Sequence, residues 1–144
     1  CNGFQILCES KLLPGALLHN DSHKFICKNT YLSVTSNSSR FTSKYSLNQV
    51  IKVPVAHGEG RFHADANTLT SLQENDQIIF QYCNNKGEID LSSNINGSAL
   101  NIAGICNRNR NVFGMMPHPE RASDSELSNT DGISFFLSAI ESNT

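Results

Sequence analysis

The sequence predicts an α/β domain with an antiparallel excursion in its middle. Apolar residues recur at helical spacing close to both ends of the chain, over 4–13 and 131–140. Between these helices lie several runs of the β-branched and aromatic residues that favour strands. Two of these runs, 100–106 and 111–115, are separated only by the short polar segment 107–110, so we expect a hairpin there. Strands interleaved with helices are typical of the α/β class.

Local signals define the individual elements in order. Pro14 and Gly15 terminate the first helix. Pro54 lies within the strand over 50–56, and because proline has no N–H to donate, we expect that strand at a sheet edge. The other predicted elements are strands over 25–35 and 77–83, a polar loop over 36–48 anchored by Phe41 and Tyr45, a helix over 66–74 capped by Asp65 or Asn67, and a turn-rich segment over 84–97. On the last helix, the apolar residues Ile133, Phe136, Leu137 and Ile140 form one stripe.

Composition excludes several classes of protein. The 144 residues form one domain with no internal repeat, and the net charge of -2 argues against a general nucleic-acid binder. No apolar run approaches the length of a membrane span, and we find no signal peptide. The five cysteines are an odd number without a Cys-x-x-Cys pair, which indicates neither a disulfide framework nor a metal site. We therefore expect a protein of the reducing cytoplasm.

The first candidate for chemistry is the thiol of Cys1. It precedes Asn2, Gly3 and a predicted helix, which is the arrangement of a nucleophile at a tight turn before a helix. The partial positive charge at a helix N-terminus lowers the pKa of a nearby thiol from about 8.5 towards neutrality. The alternative is that Cys1 is a small buried residue, as free cysteines commonly are.

The second candidate is the string around His118. Pro117 and Pro119 each push the preceding residue out of the helical region, so His118 should be extended. Residues two apart in an extended chain point the same way, so Glu120 can lie beside the imidazole and orient it as a general base. The alternative is a proline-stiffened loop in which Glu120 forms a surface ion pair with Arg121.

Several strings together resemble the class I (triad) glutamine amidotransferases and, within them, the family of glutaminase subunits of phosphoribosylformylglycinamidine synthase. The similarity covers nearly the whole chain, and the string Ala-His-Gly-Glu-Gly-Arg at 56–61 is its more specific marker. The other strings are CNGFQIL at 1–7, LLPGAL at 12–17, NGS at 96–98, IAGI at 102–105 and GMMPHPER at 114–121.

The resemblance implies a flavodoxin-like class I glutamine amidotransferase fold and a reaction. Cys1 would attack the side-chain amide of glutamine, ammonia would leave, and water would then release glutamate from the thioester. His118 would act as base and acid, and Glu120 would orient it. The resemblance also assigns an oxyanion N–H to Asn2 and places Gln5 and Phe25 near the glutamine substrate.

The resemblance further implies partners. A synthetase subunit would use the ammonia, with ATP and magnesium, to convert formylglycinamide ribonucleotide to formylglycinamidine ribonucleotide, and a small accessory subunit would complete the complex. No cofactor, metal, nucleic acid or membrane is implied for this chain. Members of the family carry a strand and a glycine-rich loop before the nucleophilic cysteine. We therefore expect residues 1–144 to be the C-terminal part of a glutamine amidotransferase type 1 domain, with weak or absent activity and poor stability when isolated.

Three alternatives remain open at this point. A free α-amine at Cys1 could act as the base of an N-terminal-nucleophile hydrolase, which predicts a different fold of stacked sheets. The chain could also be a non-catalytic module that docks on a synthetase. His57 and Glu59, in a glycine-flanked polar string, could contact the synthetase or control the site, or could simply belong to a solvated turn.

Overall fold

A five-stranded antiparallel sheet forms the centre of the computed structural model, which describes residues 1–141. Its strand order is β3-β2-β5-β6-β7, and β1 and β4 form a separate antiparallel pair. The strands are β1 (Ala16–Leu18), β2 (Ile26–Val34), β3 (Val50–His57), β4 (Arg61–His63), β5 (Ile78–Cys83), β6 (Ile102–Cys106) and β7 (Phe113–Met115), and the helices are α1 (Asn2–Glu9), α2 (Ala66–Glu74) and α3 (Ile133–Glu141). Every strand pair in the described residues is antiparallel, so the antiparallel part is larger than predicted.

Both faces of the central sheet are buried. Successive residues of β6, Ile105 and Cys106, belong to different apolar clusters, and so do Met115 and Met116 at the end of β7. Because successive side chains of a strand point to opposite faces, this division shows one cluster on each face. Apolar cover on both sides explains why β6 reads as a continuous apolar run rather than an alternating one.

The edge position of β3 confirms the prediction made from Pro54. β3 pairs with β2 on one side only. On the other side, the backbone N–H of Lys52 donates to Asp131 Oδ2 at 2.7 Å, and the Lys52 carbonyl accepts from Asn129 Nδ2 at 2.8 Å. The backbone of Pro54, two residues further on, faces the same open side, so its missing N–H removes no bond from the sheet.

The first helix begins and ends earlier than predicted. α1 starts directly after Cys1 and stops at Glu9. Lys11 then adopts a left-handed conformation with φ 61°, and the N–H groups of Leu12 and Leu13 both donate to the Leu7 carbonyl. This turn ends the helix before Pro14 is reached, which the apolar periodicity did not indicate.

The last helix faces the core with Phe135 and Ser138. Phe135 packs against the core, and the buried Ser138 hydroxyl accepts the Lys44 N–H at 2.9 Å. The predicted stripe does share one face, but Phe136, Leu137 and Ile140 are 38%, 43% and 68% exposed. The predicted helix is therefore present, and in the described residues Phe135 is its aromatic contact with the core.

The strand pair β1 and β4 was not predicted, whereas the remaining elements follow the prediction closely. Asp65 is the N-cap of α2 and accepts the Thr68 N–H at 2.8 Å, and Tyr45 is buried as an anchor of the loop before β3. β6 and β7 form the predicted hairpin. Within residues 1–141, no helix is both long and apolar enough to cross a bilayer, and no group of three metal-ligating side chains is found.

Candidate active site

Two outward-facing carbonyls of the edge strand β3 hold the predicted nucleophile and base. Cys1 Sγ donates to the Ala56 carbonyl at 3.7 Å, and the backbone N–H of His118 donates to the Pro54 carbonyl at 2.8 Å. Residues two apart along a strand are separated by only about 7 Å. The edge of β3 therefore brings the first residue of the chain next to the His-Pro-Glu string.

The thiol of Cys1 lies at the positive end of α1. Cys1 is the N-cap, and its carbonyl accepts the N–H groups of Phe4 and Gln5 at 3.0 and 3.3 Å. Its backbone nitrogen donates to the Met115 carbonyl at the end of β7, at 2.8 Å. The helix and β7 thus hold the backbone of Cys1 from two sides. The dipole of α1 stabilises negative charge on the sulfur.

The imidazole of His118 is oriented by Glu120. Its Nδ1 lies 2.7 Å from Glu120 Oε1, while its Nε2 is buried and has no hydrogen-bond partner among the described residues. The alternative ion pair also forms, but Arg121 Nε is 3.8 Å from the same carboxylate oxygen and is the weaker contact. A carboxylate on Nδ1 keeps the proton on that nitrogen and leaves Nε2 as the acceptor.

Cys1, His118 and Glu120 line one cavity of about 310 Å³. This volume is at the small end of the range of about 300–1,000 Å³ for ligand sites. The remaining walls are mainly apolar and include Gly3, Phe4, Leu7, Phe113, Phe135 and Phe136. Sγ donates to Ala56 and not to His118, and such loose contacts between catalytic groups are common in sites without substrate.

The three other predicted site residues lie outside the lining of this cavity. Asn2 is the first residue of α1, where a backbone N–H has no partner within the helix. The side chain of Gln5 donates to Glu9 at 3.3 Å, and Phe25 is 68% exposed at the start of β2. The cavity lining therefore includes none of these three residues, and their roles towards glutamine stay predictions.

His57 corrects the interpretation of the glycine-flanked string. It is the last residue of β3 and is only 3% exposed, so it cannot contact a partner from a solvated turn. Burial is the main cause that lowers the pKa of His57 to about 4. Glu59 is exposed and forms an ion pair with His19 at 3.4 Å. The one sequence signal for the burial of His57 is the alternation of buried residues along β3, in which every second residue from Ile51 to His57 points to the core.

Comparison with known proteins gives consistent matches. The CobB/CobQ-like glutamine amidotransferase domain matches residues 1–132. The phosphoribosylformylglycinamidine synthase subunit PurQ of Chlorobium chlorochromatii is 53% identical over 144 residues, which is 100% of this chain and 62% of that protein. The PurQ subunit of Acaryochloris marina is 54% identical over 142 residues, covering 99% of this chain and 60% of that protein.

A solved structure is also similar. The structure of PurLQS from Thermotoga maritima contains a chain that matches with a TM-score of 0.83 and 39% identity, over 99% of this chain and 59% of that one. This likeness confirms the predicted fold class. The chain spans 60–62% of the length of the two curated relatives named above.

Proposed function

Because the chain belongs to the CobB/CobQ-like glutamine amidotransferase domain family, we propose that it is the glutaminase part of a phosphoribosylformylglycinamidine synthase. The observation that carries the proposal is the convergence of Cys1, His118 and Glu120 on one cavity. The relatives that share more than half of its residues are named as subunits of that synthase. The substrate of this part is glutamine, and its products are glutamate and ammonia.

The first half of the reaction forms a thioester. His118 Nε2 takes the proton of Cys1 Sγ while the sulfur attacks the side-chain carbonyl carbon of glutamine. Glu120 holds the Nδ1–H and stabilises the imidazolium that results. The backbone N–H of Asn2 stabilises the negative charge on the carbonyl oxygen. His118 then gives its proton to the nitrogen, the C–N bond breaks, and ammonia leaves.

The second half releases glutamate. A water molecule attacks the thioester and transfers a proton to His118, and the C–S bond breaks. The sulfur leaves as a thiolate and recovers the proton from His118, so the site returns to its starting state. His118 thus alternates between base and acid at the same nitrogen, which requires that Glu120 hold the ring in one orientation throughout.

The ammonia serves a synthetase partner in this proposal. That partner uses ATP and magnesium to convert formylglycinamide ribonucleotide to formylglycinamidine ribonucleotide, and a small accessory subunit joins the complex. Support comes from the similar solved chain, which belongs to a PurLQS structure. We place this complex in the cytoplasm, in keeping with five cysteines that are all free thiols.

The experiment measures glutamate release from glutamine by the complete polypeptide that carries this chain, in the presence of its synthetase partner. We expect Cys1→Ala and His118→Ala each to lower turnover by a factor of about 10³ or more, since each removes a member of the triad. Exposed His63, changed to alanine, is the matched control and should leave turnover unchanged.

Two other outcomes would contradict the proposal. Full activity of the His118→Ala variant would favour the α-amine mechanism of an N-terminal-nucleophile hydrolase. A glutamine-mimicking electrophile that fails to label Cys1 in the active complex would favour a non-catalytic docking module. Mass spectrometry of the labelled peptide distinguishes these results.

A further inference from the structure

Three alternate residues of the edge strand β3 hold three different parts of the molecule. The outward carbonyls of Pro54 and Ala56 receive the backbone of the base and the thiol of the nucleophile. Lys52, two residues before Pro54, binds the loop of residues 129–132 instead, through both its N–H and its carbonyl. This loop immediately precedes α3, and the proposed mechanism has assigned it no role.

The side chains of Asn129 and Asp131 take the place of a neighbouring strand at Lys52. Asp131 Oδ2 accepts the Lys52 N–H at 2.7 Å, and Asn129 Nδ2 donates to the Lys52 carbonyl at 2.8 Å. A hydrogen-bonded residue of an antiparallel strand pair exchanges the same two bonds with its partner. Asn129 Oδ1 also accepts the Asp131 N–H at 3.0 Å, so the two residues form one connected unit.

The core also holds this loop, through Tyr45. The Tyr45 hydroxyl donates to the Asp131 carbonyl at 2.9 Å, and Tyr45 is only 3% exposed. Its ring packs edge-on against Phe80 of β5. One hydrogen bond at the surface contributes little stability, but here two surface bonds and one bond to a buried tyrosine act on neighbouring residues. The loop is therefore tied to both the edge of the sheet and its core.

Gly132 joins the loop to the turn of residues 119–122, which carries the acid of the triad. The Gly132 N–H donates to the Ala122 carbonyl at 2.7 Å. A Cβ at Gly132 would collide with the carbonyls of Pro119 and Ala122, so loop and turn meet backbone to backbone. Glu120 belongs to this turn, and its position therefore depends on where the loop lies.

We propose that Asn129 and Asp131 are positioning residues for the base and the acid of the triad. The inference rests on the proposed glutaminase function, since it concerns how that site is held together. Neither Asn129 nor Asp131 lines the cavity of the triad, so we assign them no contact with the substrate. They act through the backbone contact between their loop and the turn that carries the acid.

The edge strand thereby fixes the base and the acid relative to each other. His118 is attached to β3 directly, at Pro54, whereas Glu120 is attached through the loop, at Lys52. These two attachment points are about 7 Å apart on one strand. With both held, Glu120 Oε1 stays 2.7 Å from His118 Nδ1 while the proton moves at the other ring nitrogen. When the loop leaves Lys52, the acid can shift and the ring loses its fixed orientation.

The test is a double-mutant cycle in the complete polypeptide with its synthetase partner. Asp131→Ala removes the acceptor of the Lys52 N–H, and Glu120→Gln weakens the hold of the acid on the base. Alone, Asp131→Ala should lower kcat for glutamine hydrolysis about 10-fold or more, because a misplacement of about 1 Å can cost about 100-fold. In the Glu120→Gln background it should cost less than about 3-fold, since both changes act on one imidazole. Rates are expressed per folded molecule, measured by circular dichroism.

Two further variants serve as controls. Asp131→Asn keeps a side-chain oxygen that can accept the Lys52 N–H, so its kcat should stay within about 3-fold of that of the unaltered protein. Glu126→Ala, at an exposed acidic residue of the neighbouring turn, should leave kcat unchanged.

The outcomes separate the inference from the proposed function. The inference would be overturned if Asp131→Ala cost as much in the Glu120→Gln background as alone, because a merely structural effect multiplies independently. An Asp131→Ala variant whose kcat lies within 2-fold of that of the unaltered protein would also overturn it. If the unaltered protein releases no glutamate, the proposed function fails, and the positioning role fails with it.

A spectroscopic measurement remains decisive if Asp131→Ala does not fold. Asn129→Ala removes the other bond to Lys52, and ¹⁵N-labelled histidine in the complete polypeptide makes the Nδ1–H proton of His118 observable. We expect this proton to exchange with water at least about 3-fold faster in Asn129→Ala than in the unaltered protein or in Glu126→Ala. An unchanged exchange rate would show that the loop does not hold the acid on the base.

Discussion

Replacing Glu120 with glutamine removes the negative charge that faces the base but keeps the size and the accepting oxygen of the side chain. The contact in question is the 2.7 Å hydrogen bond between Glu120 Oε1 and His118 Nδ1. A hydrogen bond to a charged group contributes about 1.5–3 kcal/mol. The side chain of Glu120 is 55% exposed, so solvent screening favours the lower part of that range, about 1.5–2 kcal/mol.

This energy is felt mainly when His118 is positively charged, in the steps that form and break the thioester. At about 1.36 kcal/mol per factor of ten, the variant Glu120→Gln should lower kcat for glutamine hydrolysis about 10- to 30-fold. The assay is steady-state glutamate release by the complete polypeptide with its partner. Arg121→Gln is the control, because it removes only the 3.8 Å ion pair to the same carboxylate and should cost less than about 3-fold. The role of Glu120 would be refuted if kcat of the Glu120→Gln variant lay within 2-fold of that of the unaltered protein, or if the Arg121→Gln control lost as much kcat.

Three further predictions concern stability. Phe4→Ala should lower the free energy of unfolding by about 3–5 kcal/mol in urea titrations, because its ring is 2% exposed and stacks on a second phenylalanine; a change below about 1 kcal/mol would contradict this packing. Gly60→Ala should lower the free energy of unfolding by about 1–3 kcal/mol, because the added Cβ displaces the His57 ring; an unchanged free energy of unfolding would contradict this close packing. The hydrogen bond from the backbone N–H of Thr68 lowers the pKa of Asp65 in the folded state. The stabilisation by this cap is therefore complete above the unfolded pKa of about 3.9, and it is lost as the pH falls through the lower folded pKa. Asp65→Asn should therefore narrow the drop in Tm between pH 5 and pH 2, and parallel Tm curves for the two proteins would contradict the prediction.

The elements that the sequence predicted well are those defined by local chemistry. The cap at Asp65 and the hairpin before β7 depend on residues within a few positions of each other. Pro54 predicted an edge strand, because a residue without an N–H is tolerated only where no neighbouring strand accepts a hydrogen bond from it. The end of α1 was less accurate, since the left-handed turn at Lys11 has no glycine to signal it.

The sequence did not indicate which residues at the end of β3 and on α3 are buried. The stripe on α3 has the right period for a helix, but Phe135 and the neighbouring aromatic rings set the rotation of that helix. His57 lies in a polar, glycine-flanked string that is typical of a turn, and yet β3 extends to include it. Hydrophobic periodicity indicates that a helix or strand has two different faces, but it does not determine which residues of that element contact the rest of the protein.

By itself, the sequence determined the chemistry of the candidate groups and the local pairing of His118 with Glu120, because prolines restrict the backbone around them and residues two apart in an extended chain share a side. Only the tertiary structure decided that this pair meets Cys1 and that His57 is enclosed at the end of β3. The first of these results depends on the open edge of β3, whose carbonyls receive the thiol and the His118 N–H. A sheet edge is defined by which strands pair across the whole chain, and that long-range pairing has no local signature.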